Sequence, residues 1–271
     1  MSEVLTDLSS PAIAPAIEAN LFRYLEYCGR SPSVEFHDSP GVTWLITGIQ
    51  HPFTNAVIRA RFEPAGLDRA IKSVLEHFED RNAPFSWWVG PDSKPADLGA
   101  RLEAHGLSYS EQVRGMAADL AGLVDGLQMP PRLSVLPVSS DEILEQWVET
   151  AVAGFGLPRS SGQACFDLFA GLGYRLPLRC YSGLLGNRPV AVSQLFLASG
   201  VAGVYWVATV PEARRRGFGS AVTLAALADA YRSGYRIGIL HPSELGLRVY
   251  RRLGFRQHCR LRCAVWRGEG T

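Results

Sequence analysis

The chain has 271 residues, 47% of them hydrophobic, and a net charge of +1. That length makes one or two domains with sizeable cores, and no apolar run approaches the ~20 residues that span a bilayer. Met1 to Ser10 carries acids and no basic n-region, unlike a signal peptide. The cysteines (Cys28, Cys165, Cys180, Cys259, Cys263) are scattered and odd in number, which argues against a disulfide framework and for a reducing, cytoplasmic compartment.

The small net charge conceals a split. Residues 1–131 hold 10 basic and 17 acidic side chains, a net −7, and residues 132–271 hold 17 and 9, a net +8. A basic half suits an anionic ligand, or docking on the acidic half. Its arginines are dispersed apart from Arg214–Arg216 and Arg251–Arg252, and no helix-turn-helix, RRM or finger pattern accompanies them, so a nucleic-acid partner is not expected. Cys259 and Cys263 flank no metal site: on a strand, residues four apart stand ~13 Å from one another, too far for one ion.

In chain order, apolar positions at helical spacing (Ile17, Leu21, Tyr24, Leu25, Cys28) predict a helix from Ile13 to Tyr27, ended by Gly29. Val34–His37, Thr43–Ile49 and Ala56–Phe62 read as strands divided by Ser-Pro-Gly and His-Pro signals. Leu67–Phe78 reads as an amphipathic helix, Pro84–Val89 as a buried strand, Pro95–His105 as a short helix, and Leu107–Leu120 as one or two strands. Ala121–Pro131, with two glycines and two prolines, reads as a linker.

After it, Arg132–Val138 reads as a strand. Ser139 and Glu142 have capping-box spacing for a helix running to about Ala153, and Gly162–Leu172 is a second helix. Leu178–Leu185 and Val190–Ala198 form a hairpin through Gly186-Asn187. Val201–Val210 is a strand stopped by Pro211, and a helix runs from Ser220 to Tyr231. Ile237–Leu240 is a short buried strand, Glu244–Leu253 a helix ended by Gly254, and Phe255–Trp266 the last strands.

Val207 to Ala221 carries the chemistry. A strand, a turn bearing Gly217 and Gly219, and a helix N-terminus make an anion site, because unpaired N–H groups converge there and the helix dipole favours negative charge. Arg214, Arg215 and Arg216 add positive charge. A pyrophosphate suits such a site. The pattern is neither a P-loop nor a dinucleotide Gly-x-Gly-x-x-Gly.

Pro211-Glu212 followed by Arg214-x-x-Gly217-x-Gly219 resembles the acyl-CoA signature of the GNAT acetyltransferases, and Leu247–Phe255 falls where that family places its second motif. The resemblance covers about half the chain. It implies an α/β (α+β) GNAT fold whose mixed central sheet splays between the fourth and fifth strands, here Val201–Val210 and Ile237–Leu240. It also implies acetyl-CoA as co-substrate, without a metal: Val207, Ala208 and Thr209 would bond the pantetheine arm, and Arg215, Arg216, Gly217, Phe218, Gly219 and Ser220 the pyrophosphate. Tyr250 matches the family tyrosine that returns a proton to the departing thiolate.

Two positions depart from the pattern. Ser243 stands where many relatives have Asn, and the two splayed strands contain no Asp or Glu to act as base, leaving His241 or water. Glu212 is expected to pair with the arginine run. Residues 1–121 repeat the element order but have Arg61–Asp68 in place of a phosphate turn. The expectation is therefore a degenerate GNAT-like domain over 1–121, a linker at 122–131 and an N-acetyltransferase domain over 132–271. The acceptor is an unspecified amine, neither nucleic acid nor membrane is a partner, and a homodimer is compatible with the sequence. The other reading the residues leave open is a CoA-binding sensor or scaffold without turnover.

Overall fold

The computed structural model describes residues 3–63, 65–90, 93–125 and 129–268. The chain divides into two compact units that interleave along the sequence. One comprises Leu25–Val113, Gln163–Gly171 and Arg260–Thr271, the other Met1–Tyr24, Arg114–Gly162 and Leu172–Cys259. The opening helix α1 (Ile13–Cys28) contributes its first turns to the latter.

In the first of these units, β1 (Glu35–Asp38), β2 (Val42–Ile46) and β3 (Ala56–Ala60) form an antiparallel meander. Helix α2 (Leu67–Glu79) then returns the chain to β4 (Phe85–Val89), parallel to β3. Leu67, Ile71, Val74, Leu75 and Phe78 bury one face of α2, the stripe its 3.6-residue period places inward. They pack with Trp44, Phe85 and Trp87. After α3 (Leu98–Ala104) the chain enters β5 (Ser108–Asp119) and passes to the other unit.

That unit repeats the plan. Helix α4 (Leu120–Asp125) leads to β6 (Leu133–Pro137), and α5 (Asp141–Phe155) precedes an antiparallel run of β7 (Leu178–Leu185), β8 (Arg188–Ala198) and β9 (Val201–Thr209), with β6 on β7. Between α5 and β7, helix α6 (Ser161–Leu172) belongs through Gln163–Gly171 to the unit described first. Helix α7 (Phe218–Arg232) crosses over to β10 (Ile237–Leu240), parallel to β9. Helix α8 (Glu244–Arg252) follows, then β11 (Arg256–Trp266). Residues 116–119 of β5 pair with β10, whereas residues 262–266 of β11 pair with β4. Each unit thus takes its last strand from the other's stretch of chain, and this exchange, with the α6 segment Gln163–Gly171, makes the units interleave.

Four local expectations change. The expected linker begins with α4, because Leu120 and Leu123 bury against α7, and that burial outweighs the helix cost of Gly122. Residues 126–128 of that stretch lie outside the described residues. The N-cap of α5 is Ser140, not Ser139. Helix α7 starts two residues early, at Phe218, because Gly217 takes the left-handed N-cap (φ 81°). The segment Phe255–Trp266 contains one long strand rather than several, while Leu107–Leu120 holds one strand, within the reading of one or two. Among the described residues, no helix is long and apolar enough to cross a membrane.

Candidate functional site

The site is built where β9 and β10 part. Their pairing covers only Ala202–Val204 with Gly238–Leu240. Leu240 is followed by His241 and Pro242, and a proline has no N–H to extend a ladder. β9 runs on to Thr209. Its backbone from Tyr205 to Thr209 therefore lies beyond the pairing with β10, with hydrogen-bonding groups to offer a ligand. Val207, Ala208 and Thr209 belong to this segment.

On its other edge β9 is held by β8, with Gln194 opposite Tyr205 and Val192 opposite Ala208. Two β9 residues, Trp206 and Val207, thus stand against Ser193 alone. This is a β-bulge, and Trp206 takes φ 49° to form it. For a bulky residue that conformation costs about 1–3 kcal/mol. The bulge turns two consecutive side chains to one face: the Tyr205 hydroxyl donates to Asn20 Oδ1 at 2.7 Å, and Trp206 Nε1 donates to the Tyr24 hydroxyl at 2.8 Å. Val207 packs on the opposite face, against the α7 side.

Beyond Thr209, a 3₁₀ turn (Pro211–Ala213) leads into the glycine turn. Arg215 (φ 61°) and Gly217 (φ 81°) are both left-handed. The first N–H to find a carbonyl inside α7 is that of Ala221, which donates to Gly217 O at 3.0 Å. The N–H groups of Phe218, Gly219 and Ser220 form the first turn, which has no intrahelical acceptor. A Cβ on Gly219 would stand 3.4 Å from Thr209 Oγ1 and 4.0 Å from Val207 Cγ1. The bare Cα of Gly219 therefore opens toward the free end of β9, and a side chain would intrude between strand and helix. This cradle fits a diphosphate with a polar chain running from it along Thr209 to Val207.

The three arginines divide their roles. Arg214 braces the turn, donating to Thr209 O at 3.2 Å and to Gly154 O at 2.8 Å. It can do so because α5 comes close to β9: a Cβ on Gly154 would lie 2.7 Å from Ala208 Cβ. Arg215 and Arg216 are exposed at the mouth, with Arg216 4.8 Å above the Phe218 ring. Glu212 does not pair with this run. It pairs with Arg188 at the start of β8, which the strand pairing brings beside the turn.

Tyr250, on α8, packs against Phe255 at 5.9 Å, and its hydroxyl meets Thr223 on α7. Burial pushes its phenol up to about 12, so it remains a proton donor at neutral pH. Thr223 is fully buried and donates to Gly219 O at 2.9 Å, which links Tyr250 to the glycine turn. Ser243 caps α8, accepting from Gly246 N at 3.3 Å. His241 directly follows β10, with its ring 6.1 Å from that of Tyr205. Among the described residues, both its nitrogens are buried without a hydrogen-bond partner, and burial depresses it to about 4. The cysteines offer no acyl carrier here: burial raises Cys165 and Cys180 to about 12 and Cys259 to about 11, far from the thiolate form.

Sequence reasoning missed Asn20 and Tyr24 on α1, Gln194 on β8 and Thr223. The signal was present: Asn20 and Tyr24 lie four apart on a helix face otherwise lined by Ile13, Ile17 and Leu21, and Gln194 interrupts an apolar strand. A polar group in an apolar stripe needs a partner.

Residues 198–258 match the family model described as an acetyltransferase (GNAT) domain. Similar solved structures include a GCN5-related N-acetyltransferase from Kribbella flavida, 20% identical over 97% of both chains with a TM-score of 0.65. A tandem GNAT protein from the clavulanic acid biosynthesis pathway is 15% identical over 97% of both chains, TM-score 0.55. A GCN5-related N-acetyltransferase from Sphaerobacter thermophilus is 15% identical, covering 86% of this chain and 75% of that one, TM-score 0.57. At these identities the likeness is one of fold, and it extends along the whole chain. A comparison with curated proteins found no match.

Proposed function

With a GNAT acetyltransferase domain in residues 198–258 as premise, we propose that the protein is an N-acetyltransferase that moves an acetyl group from acetyl-CoA to an amine by direct attack. The observation that carries this reading is the parting of β9 from β10 after Val204, directly beside the Gly217–Gly219 turn. Acetyl-CoA supplies a thioester carbonyl. The N–H groups of Phe218, Gly219 and Ser220, with Arg215 and Arg216, hold its diphosphate, and the backbone of Val207–Thr209 holds the pantetheine amides. Positioning two reactants in one cleft supplies much of the acceleration.

The amine nitrogen forms the new C–N bond as the C–S bond breaks. Tyr250 gives its proton to the leaving sulfur, and the amine's proton leaves toward His241 or water. An imidazole depressed to about 4 accepts a hydrogen bond well but retains a proton poorly at neutral pH. Water is then the final acceptor, in keeping with the absence of Asp or Glu from β9 and β10. We read residues 1–121 as a second GNAT-like module that does not hold CoA. Its counterpart to the phosphate turn, Arg61–Asp68, brings Glu63 and Asp68 where phosphates would need cations.

Calorimetric titration with acetyl-CoA, followed by thiol release over an amine panel, tests the proposal. Binding with turnover supports it, and binding without turnover of any amine would make the protein a CoA-binding sensor. No binding refutes the cradle assignment.

A further inference from the structure

The face to which the bulge turns Tyr205 and Trp206 has a chemistry of its own. Trp206 is partly exposed although it lies in a strand flanked by β8. Phe155 stands edge-on to its ring at 5.5 Å and 87°, and is 43% exposed. Behind Trp206 lies the fully buried Trp147, 5.9 Å away. Trp147 is fixed by Nε1 donating to Tyr181 O at 3.1 Å.

The Trp206 ring is pinned. Its Nε1 donates to the Tyr24 hydroxyl, which donates onward to Gln194 Oε1 at 2.8 Å. The only polar atom of the indole is thus turned inward, and its open side is apolar. Glycine would adopt φ 49° without strain, yet tryptophan occupies the position. A strained residue that the surroundings hold in place invites a functional account. On the Tyr205 side, 6.1 Å from that ring, His241 has two buried nitrogens with no partner among the described residues, and a buried polar group left unpaired calls for an explanation.

We propose that Trp206, Phe155, Tyr205 and His241 form the acceptor subsite, and that the acceptor is a monoamine with one aromatic or compact apolar substituent. The substituent lies against Trp206 and Phe155, and the amine donates to His241. Tyr24 is a positioning residue that holds the Trp206 ring. None of these five side chains carries a formal charge at neutral pH, so amines with several cationic centres, such as polyamines and aminoglycosides, gain no ion pair from them. This inference rests on the acetyltransferase reading for its reaction but not for its binding.

The test compares 2-phenylethylamine and tryptamine with spermidine and kanamycin on the full chain, by calorimetry in the presence of saturating CoA and by thiol release with acetyl-CoA. The aromatic amines are expected to bind at least about 10-fold more tightly than the polycations. Phe155→Ala, which truncates a side chain that is 43% exposed, should weaken 2-phenylethylamine by about 10-fold and leave acetyl-CoA affinity within twofold and the melting temperature of the free protein nearly unchanged. Trp206→Leu should do the same, and Tyr24→Phe should raise KM more than it lowers kcat. Tighter binding of spermidine or kanamycin, no binding of the aromatic amines, or an unchanged affinity in Phe155→Ala overturns the aromatic subsite. If 2-phenylethylamine binds in a Phe155-dependent way while acetyl-CoA does not bind, the subsite stands and the transferase reading falls.

Discussion

Replacing Gly219 by alanine should strengthen the free protein and weaken its hold on acetyl-CoA. The added Cβ meets nothing closer than Thr209 Oγ1 at 3.4 Å, an ordinary contact, and Gly219 is not among the residues with positive φ. Alanine is worth up to about 1 kcal/mol over glycine in a helix, which for a chain of this size raises Tm by about 2–4 °C. The same methyl group occupies the gap between the free end of β9 and the first turn of α7. Displacing a phosphate from one or two charged hydrogen bonds of about 1.5–3 kcal/mol weakens acetyl-CoA by about 10- to 100-fold. Thermal melts of the free protein and calorimetric titration with acetyl-CoA read the two effects separately. Gly219→Val, larger and β-branched, should abolish binding while the protein stays folded. If alanine leaves acetyl-CoA affinity unchanged, the diphosphate does not lie on this turn.

Tyr250→Phe should lower kcat by about 100-fold or more, the scale of a lost general acid, with acetyl-CoA affinity unchanged; single-turnover thiol release measures it, and wild-type turnover would remove the acid role. Arg214→Ala loses two bonds that brace the turn, to Thr209 O and Gly154 O, and should weaken acetyl-CoA by about 10-fold; titration of the variant checks this. His241 is depressed by burial from 6.5 to about 4, so between those values the unfolded chain binds the extra proton. Its contribution to stability is therefore present above pH ~6.5 and lost as pH falls toward 4. Urea midpoints at pH 7 and pH 5 should differ less in His241→Gln than in the wild type. Trp147→Phe leaves Tyr181 O and Ser193 O without the indole donor, and chemical denaturation should record a loss of about 1–3 kcal/mol.

Much was legible because it is local. The Gly217–Gly219 turn announces itself, since only a few residue types tolerate a left-handed N-cap, and a strand stopped by Pro211 must turn there. Tyr250 is singled out by its spacing from Leu253-Gly254-Phe255, and in the structure its ring packs on Phe255 and its hydroxyl meets Thr223. The Glu212 partner was misread because proximity along the chain is a poor guide across a sheet: Arg188 lies 24 residues away and is brought near by the pairing of β8 with β9. The α4 helix was hidden by Gly122, whose local cost is smaller than the burial of Leu120 and Leu123.

Sequence alone determined the order of elements, the glycine turn that follows the strand stopped by Pro211, and the lack of a carboxylate on the parting strands, because each depends on residues a few positions apart. Tertiary structure decided the exchange of the last strands, the bulge that turns Trp206 onto the face of Tyr205, and the use of Asn20 and Tyr24 from α1 to hold it. Those contacts join residues more than 180 positions apart. No period or spacing encodes such a pairing, which forms only where the packed sheet brings two distant polar groups to one buried spot.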